Sequence, residues 1–102
     1  MPAYVIADVS VSDPERYRSY AALSPGAVAA AGGRFLVRGG ALETLEGDWA
    51  PERLVVIEFA DRDAARAFYD SPAYRAARAQ RAGATARFDL VVVDGVAPEV
   101  TA

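Results

Sequence analysis

The feature that most restricts this chain is a mismatch between its strands and the helices available to cover them. Ala3 to Val11 alternates, with Val5, Ala7, Val9 and Val11 on one face and Tyr4, Ile6, Asp8 and Ser10 on the other. Leu54 to Ala60 and Phe88 to Asp94 are apolar on both faces, and Arg34 to Arg38 is a further short extended segment closed by Gly39-Gly40. Period-two patterns rich in β-branched residues predict strands. Between them lie two helical regions. The first opens at Asp13-Pro14, a cap followed by a proline suited to the first helical position. It carries Tyr17, Tyr20 and Ala21, meets Ser24-Pro25, which can recap or kink it, and stops at Gly32-Gly33. The second starts at Asp61 and restarts at Ser71-Pro72, running to about Ala82. A short extended stretch, Leu42 to Leu45, and a turn at Gly47 to Pro51 separate the middle strands.

The resulting order, β-α-β-β-α-β, predicts a ferredoxin-like α+β domain over residues 1–95, followed by a frayed tail over 96–102. Right-handed crossovers place both helices on one face of a four-stranded antiparallel sheet. Val5, Val9, Val55, Ile57, Phe59, Val91 and Val93 are then expected beneath the helices. Tyr4, Ile6, Leu54, Val56, Phe88, Leu90 and Val92 are expected on a bare face. Burying one such side chain is worth roughly 1.5–3 kcal/mol, and a contiguous patch of this kind exceeds what a soluble monomer normally exposes. A second copy of the sheet is the simplest cover, so a two-fold homodimer is expected. The 53% hydrophobic content suits that surplus.

Composition removes whole mechanistic classes. The chain has no histidine, cysteine or lysine, so it lacks the commonest general base, any thiol or disulfide, and any Schiff-base amine. No transition metal, haem or other cofactor is expected, because only carboxylates and carbonyls remain as ligands. A net charge of −3 argues against nucleic acid. No apolar run approaches the ~18 residues of a membrane span, and the start has no basic leader, so a cytoplasmic protein is expected.

Two carboxylates interrupt the bare face. Glu58 is in phase with Leu54 and Val56, and Asp8 with Tyr4 and Ile6. Adjacent strands would let them approach, and paired carboxylates can supply an acid or base near neutral pH. Arg38 is the expected counter-ion. Asp8 and Glu58 are therefore candidate catalytic groups, with structural ion pairing that fixes dimer register as the competing reading. Arg38, Trp49, Tyr69 and Ser71 are candidate ligand-binding residues, against packing for the aromatics and helix capping for Ser71. Arg75, Arg78 and Arg81 form a basic stripe that a solvated helix face explains.

Three segments together resemble a known family. They are Gly32-Gly33-Arg34-Phe35-Leu36-Val37-Arg38-Gly39-Gly40, the run from Leu45 through Trp49-Ala50-Pro51 to Phe59, and Phe68-Tyr69-Asp70-Ser71-Pro72-Ala73-Tyr74 with Arg81 after it. The chain resembles the domain of unknown function 1330 family, small bacterial proteins of the dimeric α+β barrel superfamily, from about Ala3 to Gly95. Phe68 stands where the resemblance implies a tryptophan before the tyrosine, and Ala31 where it implies an aromatic before the double glycine, departures that would reshape a pocket and leave the fold intact. The resemblance implies the same dimer but brings no activity. Superfamily relatives include cofactor-independent monooxygenases, lactone isomerases and haem-degrading enzymes, the last disfavoured here by the absence of histidine. The expectation is a small pocket binding an organic molecule with a polar or anionic group, with or without turnover. The rival is a purely structural dimer.

Overall fold

The computed structural model describes residues 1–96. Four strands, β1 (Ala3–Val11), β2 (Arg34–Arg38), β3 (Arg53–Phe59) and β4 (Thr85–Asp94), form one antiparallel sheet in the order β2-β3-β1-β4. Helices α1 (Pro14–Ala30), α2 (Arg62–Asp70) and α3 (Pro72–Gln80) lie across one face. This is the ferredoxin-like α+β fold expected from the sequence. Residues 39–52 connect β2 to β3 without regular structure, so the stretch Leu42 to Leu45 is not a strand. The expected tail falls, from residue 97 onward, outside the described residues.

The caps act where the sequence places them. Asp13 accepts from the Arg16 amide at 3.1 Å and Asp61 from the Ala64 amide at 2.8 Å. Ser71 ends α2 and starts α3, accepting from the Tyr74 amide at 3.1 Å while donating to the Phe68 carbonyl at 2.7 Å. Its hydroxyl thus satisfies orphan groups of two helix ends at once. Pro25 neither recaps nor ends α1, which continues through it to Ala30.

The core lies between sheet and helices. Val5, Ala7 and Val9 of β1 and Val55, Ile57 and Phe59 of β3 meet Tyr17, Tyr20, Val28, Phe68 and Tyr74. Strand β4 corrects the expected face count. Its Phe88, Leu90 and Val92 stand opposite Val9, Ala7 and Val5, so they point under the helices, while Val91 and Val93 face out. The bare face is nonetheless apolar along a complete row, Val37–Val56–Ile6–Val91, one residue from each strand in direct register. Exposures of 39% for Val37, 57% for Val91 and 48% for Val93 show that, among the described residues, nothing covers it.

Candidate functional site

Register places the two carboxylates at opposite ends of the bare face. Tyr4 stands opposite Glu58, while Asp8 stands opposite Leu54. Four residues of strand separate the two positions, about 13 Å at the usual rise. The expected approach of Asp8 to Glu58 does not occur. Each carboxylate has its own partners. Arg34 Nε donates to Glu58 Oε1 at 2.7 Å, and the Tyr4 hydroxyl donates to Oε2 at 3.3 Å. Arg34 is the counter-ion because it stands directly opposite Glu58 across the β2–β3 ladder.

Arg38, the expected partner, turns to the other face. A bulge between Phe35 and Val37 inserts one residue, so alternation along β2 slips and Arg38 emerges on the helix side, opposite Val55. There its Nη2 donates to the Ala21 carbonyl at 2.8 Å, and its guanidinium lies 4.7 Å from the Phe35 ring centroid.

At the Asp8 end, Asp8 faces Asp89 directly across the β1–β4 ladder. Like charges so placed repel. Arg87 relieves them, reaching Asp8 Oδ2 at 3.5 Å and Asp89 Oδ2 at 3.7 Å. The Trp49 indole N–H donates to the same Asp8 oxygen at 3.0 Å, which pins the 39–52 connection over the strand. Asp8 is only 13% exposed at its side chain, and its Oδ1 is buried without a partner. Arg87→Met is expected to lower stability by about 1–2 kcal/mol, less than a fully buried pair would lose because Arg87 is half in water. Adding Asp89→Asn should recover part of that in denaturant titration, since contacting sites are not additive.

The helix side holds a cavity. Between α1 and the sheet lies a space of about 20 Å³, room for little more than a water molecule. Val5, Ala7, Val28, Phe35, Val55 and Ile57 supply apolar wall; Arg38 and Arg53 supply charge; Tyr20, Ser24 and Tyr74 supply hydroxyls. The Tyr20 and Tyr74 hydroxyls are hydrogen-bonded to each other at 2.8 Å in the core. Burial, then repulsion from the Tyr74 oxygen, pushes the Tyr20 hydroxyl far above its ordinary value of 10.0. The unfolded chain would therefore lose this proton first, so the contribution is intact below about pH 10 and is lost as pH rises beyond it. Val5, Phe68, Phe88 and Leu90 also border a groove of about 680 Å³ that runs along β4 beside α2 and Arg81. Cavity and groove therefore share walls.

Of the remaining sequence candidates, Trp49 lies on the bare face with Asp8. Tyr69 borders the β4 groove, under the Arg78 guanidinium at 4.3 Å. Ser71 is occupied with capping. Sequence reasoning missed Arg53, Arg34, Arg87 and the Tyr20–Tyr74 pair. Arg53 carried a readable signal: it is in phase with Val55 and Ile57 and so belongs beneath the helices. Among the described residues, no cluster of three or more carboxylates is placed to hold a metal ion, and no helix is long and apolar enough to cross a membrane.

Residues 2–96 match the model of the family described as domain of unknown function (DUF1330). No curated protein sequence matches the chain. Among solved structures, a protein of unknown function from Rhodopseudomonas palustris is 21% identical, covering 95% of this chain and 84% of its own, with a TM-score of 0.73. A dimeric ferredoxin-like protein of unknown function from Thermobifida fusca is 25% identical over 91% of this chain and 90% of its own, with a TM-score of 0.63. SnoaB, a cofactor-independent oxygenase from Streptomyces nogalater, is 15% identical and covers 97% of each chain at a TM-score of 0.62. The first and third likenesses show the fold alone.

Proposed function

We propose that this chain, which belongs to the DUF1330 family, is a cytoplasmic homodimer that binds a small organic molecule with a polar or anionic group in the space between sheet and helices. The observation that carries the reading is the concavity on that side: a groove of about 680 Å³ along β4, sharing Val5, Phe68, Phe88 and Leu90 with a small cavity that two arginines and a buried hydroxyl pair line. A few polar groups set in a mostly apolar concavity are the ordinary composition of a small-molecule site. The dimer is supported by the uncovered Val37–Val56–Ile6–Val91 row and by the dimeric Thermobifida fusca relative. Arg38 orients the ligand, and Tyr69 lies toward the shared groove.

Asp8 and Glu58 have a different best reading. Both are on the face opposite the cavity, and both are already paired, with Arg87 and Arg34. That observation favours the register-setting role, with Trp49 holding Asp8 in place. The acid–base role assigned to them from sequence requires the ligand to reach the space between two packed sheets.

The test is a thermal-shift screen of small organic acids, alcohols and amines against the full chain and against Ser24→Leu. Ser24 is 6% exposed and borders the cavity, so leucine fills it. Binders of the parent should lose their effect in the variant while sedimentation still gives a dimer. Binders unaffected by Ser24→Leu, but lost in Glu58→Gln or Asp8→Asn, would move the site to the inter-sheet face.

A further inference from the structure

Resting on that reading of the concavity, we infer that its ligand is an apolar organic acid with a single negative charge, its body lying in the β4 groove and its charge held by Arg81. The basic stripe of α3 is not uniformly solvated. Arg81 caps the end of that helix, and its carbonyl accepts from the Ala84 amide at 2.9 Å. Gly83, with φ of +77°, lets the chain reverse there into β4. The returning strand brings the Phe88 ring under the Arg81 guanidinium, at 3.7 Å to the ring centroid, with the Tyr20 ring at 5.3 Å. Phe88 lines both the small cavity and the groove, so Arg81 stands where the two meet.

Stacking holds the plane of a guanidinium and leaves its N–H edge to find acceptors elsewhere. Arg81 Nε is buried and has no hydrogen-bond partner. Among the described residues, no carboxylate oxygen lies within 4.0 Å of Arg81, although arginines 34, 62, 66 and 87 each have one. An N–H removed from water and left unpaired is the group that a bound anion would satisfy.

The groove sets the size and the charge of the occupant. At about 680 Å³ it falls within the roughly 300–1,000 Å³ of small-molecule sites. Leu90 and Val92 point to the helix side yet stay only partly buried, which leaves an apolar floor with Tyr69 along the rim. Four charged residues border the groove. Arg66 is paired with Asp70, and Asp89 with Arg87, so Arg81 is the cation left to an incoming anion. One negative charge meets Arg81; a second would have to lie toward Asp70 or Asp89, where like charges repel.

The experiment titrates the full chain by calorimetry with naphthylacetate, naphthylacetamide and naphthylmalonate, alongside Arg81→Gln, Arg81→Lys and Arg75→Gln. Naphthylacetate should bind saturably, about 10-fold or more tighter than the neutral amide and than the doubly charged malonate. Arg81→Gln should weaken the acid by about the same factor and leave the amide unchanged. Arg81→Lys, which keeps the charge without the fork, should fall between parent and Arg81→Gln. Arg75→Gln, in the same stripe but away from the groove, should change nothing. Equal binding of acid and amide, or a preference for the acid that survives Arg81→Gln, would overturn the assignment and leave the reading of the concavity standing. Malonate binding as tight as the acid would overturn the single charge. Binding of none of the three would overturn this inference, and the broader reading would fall with it only if the thermal-shift screen also returned no binder. Near-ultraviolet circular dichroism matching the parent shows that each variant is folded, and the comparison of acid with amide needs no variant.

Discussion

Tyr74→Ala is expected to cost about 3–5 kcal/mol, the largest loss from any single side chain here. Tyr74 is 1% exposed and fully enclosed by aromatic neighbours: its ring centroid is 4.4 Å from that of Phe68 and 5.8 Å from that of Tyr69. Truncation removes that packing, opens a cavity between α3 and the sheet, and strips the Tyr20 hydroxyl of its partner. Tyr74→Phe separates the contributions. It keeps the ring and deletes only the hydroxyl, so it should cost about 1–3 kcal/mol, the penalty of a buried polar group left unpaired. Chemical denaturation at fixed protein concentration measures both. A Tyr74→Phe variant as unstable as Tyr74→Ala would mean that the hydroxyl pair, and not the ring, dominates.

Val56→Asp is expected to split the dimer. Val56 lies in the middle of the apolar row, between Val37 and Ile6. A charge there would be buried without a partner, a penalty of about 3–5 kcal/mol, or a weakening of association by roughly 10²–10³-fold or more. Sedimentation of the parent at micromolar concentration should give twice the 10.8 kDa chain mass, and of the variant the single chain mass. Because association and folding are linked, the parent's melting temperature should also rise with protein concentration. A parent that sediments as a monomer would remove the reason for the row.

These expectations rest on strands whose legibility differed for physical reasons. In β1 and β3 one phase is marked by polar residues, Asp8, Ser10 and Glu58, so the outward face could be read directly. In β4 the run Leu90-Val91-Val92-Val93 is apolar at every position and fits either phase equally well. Arg87 and Asp89 mark the outward side, and the phase built from the valines was the opposite one. The bulge in β2 was invisible for another reason. No glycine or proline signals it, yet the slip at Leu36 moves Arg38 from the bare face to the cavity and leaves Arg34 to pair with Glu58. The Trp49–Asp8 hydrogen bond spans 41 residues through an irregular connection, which no periodicity encodes. Fold class and the uncovered apolar row therefore followed from the pattern, while the identity of the arginines at the cavity followed only from register.

Backbone amide chemical shifts of the full chain, recorded during titration with the strongest binder from the thermal-shift screen, test the central claim most directly. Binding in the cavity should move the amides of Ala21, Ser24, Arg38, Gly39 and Arg53 together and leave those flanking Ile6, Val56 and Val91 in place. Shifts confined to the Asp8 and Glu58 ends of the bare face, with the first group unmoved, would contradict it.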